Sequence, residues 1–151
     1  MYRILVVEDE VSLRRIIVRN LAKRGYTVAE ADSVASSIEA CSAFSIPFDL
    51  ILLDINLPDQ TGWDVLRVLQ SERQRTPGGD VSAPKVVVMS AIRPARCRIE
   101  EFRPLGVLLK PFPIDALLRL VERVLGSCSP EVEQMGAKEA NPDARFRDAF
   151  E

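Results

Sequence analysis

The chain reads as an α/β protein built on one parallel sheet with helices on both faces, and three observations carry that reading. Four short apolar runs, at residues 3–7, 50–53, 86–89 and 107–109, have the length and the β-branched and leucine content of strands buried on both sides. Each is followed at once by polar residues: Glu8-Asp9, Asp54, Ser90 and Lys110-Pro111. Between the runs lie segments with helical spacing, so strands and helices alternate. That alternation implies right-handed crossovers within a single sheet.

The first strand, at about residues 2–7, precedes a helix at about 11–24 whose apolar stripe is Leu13, Ile16, Ile17 and Leu21. Gly25 stands where a left-handed residue would end that helix. Residues 26–31 alternate more and suit an edge strand. Asp32-Ser33 can cap a second helix reaching about Phe44. The third strand stops at Asp54. Pro58 and Gly62 then break the loop before a helix containing Val65, Leu66 and Leu69. A long loop at 74–84, with Pro77, Gly78, Gly79 and Pro84, leads to the fourth strand and Ser90. Pro94 and Pro104 leave room for only a short helix between them. The fifth strand ends at Lys110. Pro113 suits the first turn of a last helix striped by Leu117, Leu120, Val121, Val124 and Leu125.

The 151 residues suit one domain, ending near residue 126. Residues 127–151 are polar and too short for a second domain; they read as a tail, partly disordered or holding a short helix from Asn141-Pro142 with Phe146 and Phe150 on one side. A hydrophobic fraction of 47% with 28% charged residues is ordinary for a soluble protein. The net charge of −2 gives no case for nucleic-acid or membrane binding. No apolar stretch has transmembrane length, and no signal peptide precedes the first strand. Cys41, Cys97 and Cys128 lack metal-ligand spacing, which points to a reduced, cytoplasmic chain. With no histidine, the chain cannot phosphorylate itself on imidazole, and histidine-based triads and the usual zinc sites are excluded.

In open parallel sheets, chemistry collects beyond the carboxyl ends of the strands. Three acids, a hydroxyl and an amine therefore belong to one crevice. Asp54 is the candidate nucleophile, since a carboxylate can form an acyl phosphate; a turn-forming aspartate is the plainer alternative. Glu8 and Asp9 offer oxygen ligands to a hard cation, or simply an acidic first helical turn. Two like charges about 4 Å apart repel by roughly 4 kcal/mol at an effective dielectric near 20, and Mg²⁺ would relieve that. Lys110 supplies a compact positive charge that can pair with Asp54 or hold a phosphoryl oxygen; otherwise it is a surface lysine. Ser90 offers a hydroxyl to the same oxygens, or caps the next helix. Small Ala91 leaves room for a phosphodonor.

The segments RILVVEDE, LILLDINLPDQTG, VVVMSA and LLKPF resemble the receiver domain of two-component response regulators, including single-domain chemotaxis-regulator-like forms. The resemblance covers about residues 2–126. It implies a flavodoxin-like sheet of order 2-1-3-4-5 and Mg²⁺-dependent phosphorylation of Asp54 by a partner's phosphohistidine. The implied ligands are Glu8 (through water), Asp9, Asp54 and the main-chain carbonyl of Asn56, with Ser90 and Lys110 on the phosphoryl group. The implied partners are a sensor histidine kinase or histidine phosphotransfer protein and a downstream effector protein, with a possible homodimer through the fourth helix, fifth strand and fifth helix. Such a chain is a switch, not a turnover enzyme.

Departures from the family pattern gather on the output side. Val107 stands where receivers usually carry Tyr or Phe, and Gly106 lies only four residues before Lys110. Arg93, Arg96, Arg98 and Arg103 face only Glu100 and Glu101 there, as a solvated charged face or a surface for an acidic partner. Trp63 suits a half-buried position near the pocket. A receiver-fold module with phosphorylation-independent output is the competing reading. A fragment of a DNA-binding regulator is disfavoured because nothing after Gly126 can form a helix-turn-helix. A hydrolase of similar topology would need a second acid two residues after the nucleophile, where Asn56 stands.

Overall fold

Period-two patterning decides which side of the sheet each strand residue faces. A computed structural model describes residues 1–43, 48–75 and 84–126. Five parallel strands stand in the order β2-β1-β3-β4-β5: β1 is Arg3–Val7, β2 Thr27–Ala31, β3 Leu50–Asp54, β4 Lys85–Ser90 and β5 Gly106–Leu109. The helices are α1 Val11–Lys23, α2 Val34–Ala43, α3 Gly62–Arg75, α4 Arg96–Phe102 and α5 Ile114–Leu125. Ile4, Val6, Leu50, Leu52, Val87 and Met89 pack against α1 and α5. The alternate residues Leu5, Val7, Ile51, Leu53, Val88 and Val107 pack against α2, α3 and α4. The fold is thus the doubly wound, flavodoxin-like one, and the edge position of β2 matches its mixed pattern.

Register carries the polar residues to one end. Val7 pairs with Ala31 and Leu53, Asp54 with Met89, and Ser90 with Leu109. Glu8, Asp54, Ser90 and Lys110 therefore stand within a step of one another along the carboxyl edge.

Several expectations need correction. Ile16 is half exposed, because the buried line on α1 runs through Leu13, Ile17 and Leu21, one position around the helix. Leu118, off the expected stripe of α5, is buried with Leu117, Val121 and Leu125, because this helix lies deeper than its period alone suggests. Pro113 is the N-cap of α5 with extended ψ, not part of its first turn. Trp63 is buried, not half-buried, since Phe102 stacks on it with ring centroids 5.3 Å apart. Gly25, at φ 91°, ends α1 as expected. Phe44, most of the 74–84 loop, Cys128 and the tail with Asn141, Pro142, Phe146 and Phe150 lie outside the described residues.

Candidate functional site

Glu8 is fully buried at the end of β1, and every polar atom of it has a partner. Its N–H donates to the carbonyl of Ala31 at 3.0 Å, which continues the β1–β2 ladder one step past the strands. Its carbonyl accepts from Arg14 Nη1 at 2.9 Å. Its Oε1 accepts from the Glu10 N–H at 3.2 Å, and its Oε2 accepts from Lys110 Nζ at 2.7 Å. Asp54, 2% exposed, is held similarly. Its Oδ1 accepts from the Asn56 N–H at 3.0 Å and its Oδ2 from Lys110 Nζ at 3.1 Å. One ammonium thus bridges two buried carboxylates from strands far apart in sequence.

Burial pushes the Glu8 carboxyl up, to about 7, against the opposing pull of the Lys110 hydrogen bond; the Asp54 charge adds to the rise. For Lys110, burial favours the neutral amine, but the hydrogen bonds to Glu8 and Asp54 outweigh it and hold the ammonium above its ordinary range. Asp9 is exposed, and ligand atoms of Glu8, Asp9 and Asp54 all lie within 4.8 Å of one another. An all-oxygen set of three carboxylates, one open to solvent, suits a hard divalent cation that keeps some of its water.

Gly62 explains why the loop after Asp54 closes as it does. A Cβ there would stand 2.3 Å from the Asp54 carbonyl oxygen and 2.9 Å from Ile55 Cα, so only glycine lets α3 start against the strand end. The Gly62 N–H donates to the Ile55 carbonyl at 2.8 Å, and Asn56 bridges Thr61 across the loop. Asn56 is thereby held with its main chain turned around the Asp54 carboxylate. The Lys110-Pro111 peptide beyond β5 is cis.

Ser90 is buried at the end of β4, but its hydroxyl is engaged in its own loop. It donates to the Ile92 carbonyl at 2.6 Å and accepts from the Ile92 N–H at 3.2 Å. It does not cap α4, whose N-cap is Ala95. The structure therefore gathers Glu8, Asp9, Asp54 and Lys110 around one point, with Asn56 in the adjoining loop, and turns Ser90 aside.

Arg14, Glu30 and Asp59, which carried no sequence signal, support this end of the sheet. Arg14 also donates from Nε to Glu30 on β2 at 3.1 Å. Asp59, in the loop after Asn56, accepts from the first two N–H groups of α2, Val34 and Ala35, both at 3.0 Å. Those bonds hold its carboxyl below the usual range. Ser33 still caps the third N–H of α2, as its position suggests, so two caps share one helix end.

The family model for the response regulator receiver domain matches residues 4–122. The chain belongs to that family. Receiver domains are regulators and not typical turnover enzymes, and they bind Mg²⁺ at an acidic pocket; in this chain Glu8, Asp9 and Asp54 form an acidic cluster. The probable transcriptional regulatory protein SilR of Salmonella typhimurium is 30% identical over 125 residues, 82% of this chain and 50% of that protein. The transcriptional regulatory protein CusR of Escherichia coli K12 is likewise 30% identical over 125 residues, covering 82% and 51%. The chain spans about half the length of these relatives. Among solved structures, the non-phosphorylated receiver domain of HemR from Leptospira biflexa superposes with a TM-score of 0.71 at 26% identity, covering 86% of this chain and 98% of that one. The chemotaxis response regulator CheY4 of Vibrio cholerae has a TM-score of 0.69 at 24% identity, with 83% and 99% covered, and speaks for the fold alone. Among the described residues, no helix of this receiver domain is long and apolar enough to cross a membrane.

Proposed function

We propose that this receiver domain accepts a phosphoryl group on Asp54 from the phosphohistidine of a sensor kinase or phosphotransfer protein and then changes its contacts with an effector protein. The observation that carries the reading is the Lys110 ammonium bridging Glu8 and Asp54, with Asp9 alongside. The receiver would occupy residues 1–126, with 127–151 as a polar tail. Asp9, Asp54 and the Asn56 carbonyl would ligate Mg²⁺, with Glu8 acting through water. When bound, the cation supplies charge neutralisation at the carboxylates and at the migrating phosphoryl group.

A carboxylate oxygen of Asp54 attacks phosphorus as the N–P bond of the donor breaks, and the imidazole leaves with the electron pair and takes a proton. Lys110 is already within hydrogen-bond reach of the acceptor, so it can follow the charge from the carboxylate to a phosphoryl oxygen with little reorganisation. The Asn56 N–H on Oδ1 orients the acceptor. Ser90 must give up the Ile92 carbonyl to reach the phosphoryl group, and that exchange would remodel the loop leading to α4. A switch from 1:99 to 99:1 needs about 5.5 kcal/mol of differential stabilisation. Two or three charge-assisted hydrogen bonds are of that order.

Two reagents with Mg²⁺ test the reading: acetyl phosphate is expected to give the wild-type chain hydroxylamine-labile acyl-phosphate label, beryllofluoride to change its amide shifts, and Asp54→Ala to show neither. Label retained by Asp54→Ala would remove the acceptor assignment. A second reading, a receiver-fold interaction module whose output ignores phosphate, is favoured by Val107, which sits buried where an aromatic relay would stand. Unchanged partner affinity after beryllofluoride binding would select it. The relatives' names describe transcriptional regulators; for this chain, a contact with an effector or with a second copy through α4, β5 and α5 is the proposed output.

A further inference from the structure

We propose that Arg14 is a positioning residue for the cation-binding acids, acting through the main-chain carbonyl of Glu8 and braced by Glu30. The inference rests on the reading of Glu8, Asp9 and Asp54 as a cation site. The geometry is specific. Arg14 projects from the first turn and a half of α1, donates from Nη1 to the Glu8 carbonyl at 2.9 Å, and donates from Nε to Glu30 Oε1 at 3.1 Å. Its side chain is only 17% exposed. Glu30 stands on the edge strand β2, opposite Val6 in the β1–β2 register. One guanidinium therefore ties α1, the β1–α1 turn and β2 together.

The Glu8 carbonyl shares a rigid plane with the Asp9 N–H. Fixing that oxygen, while Ala31 fixes the Glu8 N–H from the other side, leaves the turn no freedom to rotate the Glu8–Asp9 peptide. Among the described residues nothing restrains the exposed Asp9 side chain, so the direction in which its carboxylate leaves the chain is set by this peptide. With Glu30 about half exposed, the arginine–glutamate pair contributes little to stability on its own. The value of this one lies in where its second hydrogen bond falls. A lysine could not serve equally, because one ammonium cannot present two separated donors in a fixed plane as guanidinium does.

The test is calorimetric titration of the full chain with Mg²⁺ alone, beside hydrogen exchange at the Glu10 amide and thermal melting without metal. For Arg14→Ala we expect Mg²⁺ affinity to fall by roughly tenfold, the loss typical of outer residues that orient metal ligands. The Glu10 amide, which donates to Glu8 Oε1 at 3.2 Å across the same turn, is expected to lose protection while the metal-free melting temperature moves little. Arg14→Lys is expected to recover part of the affinity, and Glu30→Ala to lose about threefold. Wild-type affinity in Arg14→Ala, or full recovery in Arg14→Lys, would overturn the inference while leaving the cation site standing. Absence of Mg²⁺ binding by the wild-type chain would instead overturn the site reading and this inference with it. Should Arg14→Ala fail to fold, Glu30→Ala decides: a measurable loss supports the clamp, and an unchanged affinity overturns it.

Discussion

The acid pocket and α4 are built by opposite means. At the pocket, Glu8 and Asp54 are buried and every carboxylate oxygen has a donor. Helix α4 has seven residues, none of them buried, and it carries its charges as exposed pairs, Arg96 with Glu100 and Arg98 with Glu101. By contrast, α5 buries Leu117, Leu118, Val121 and Leu125. What holds α4 is the stack of Phe102 on Trp63, with Arg67 over the same ring at 5.8 Å and Ile99 packed at the core margin. A preset acidic end beside a lightly anchored helix is the arrangement in which a local charge change moves one element and leaves the rest in place. The arginine cluster expected on this side is thus partly self-paired, which favours the solvated face over a preformed acidic-partner site.

The largest effect that could break this contrast is at Gly62. The added Cβ of Gly62→Ala meets backbone and not a flexible side chain, so we expect about 3 kcal/mol of lost stability in urea unfolding, together with weaker Mg²⁺ binding. An unchanged urea midpoint would mean that the strand end and α3 are less tightly set than described.

Next in size is the pH dependence of the metal-free fold. With Glu8 held at about 7 instead of the ordinary 4.5, the folded chain binds this proton more tightly than the unfolded chain. The associated stability is full below about pH 4.5 and is lost as pH rises through about 7. We expect a fall of about 2 kcal/mol between those limits, less than the full shift implies because Lys110 is partly solvent-exposed. Glu8→Gln should flatten the profile measured in chelator. The same slope in both proteins would assign the proton elsewhere.

The smallest expected effect sharpens the other side of the comparison. Phe102→Ala should cost about 1 kcal/mol, the scale of one aromatic pair, speed amide exchange along α4 and shift Trp63 emission to the red. Mg²⁺ affinity should stay at the wild-type value; a parallel loss there would show that pocket and helix are one rigid unit.

Residues close in sequence were the legible ones. Apolar runs gave β1, β3, β4 and β5, the more alternating segment gave β2, and the polar residue after each run gave the members of the pocket. Period 3.6 located the helices but misjudged their depth, putting Ile16 on the buried stripe of α1 and leaving Leu118 off that of α5, because how far a helix sinks depends on the sheet beneath it. Ser90 could be assigned to the right strand end but not its hydroxyl direction, which the Ile92 main chain decides.

The linear chain by itself therefore determined the strand sequence, the sheet's carboxyl edge and the chemical types gathered there. Only tertiary structure decided the bracing: Arg14 to Glu30 across 16 residues, Asp59 to α2 across 25, and Lys110 to Glu8 across 102. Apolar periodicity is a local consequence of burial, repeated every few residues and so readable in order. A hydrogen bond between distant loops has no period; it exists only once the sheet register has brought the two loops to the same place.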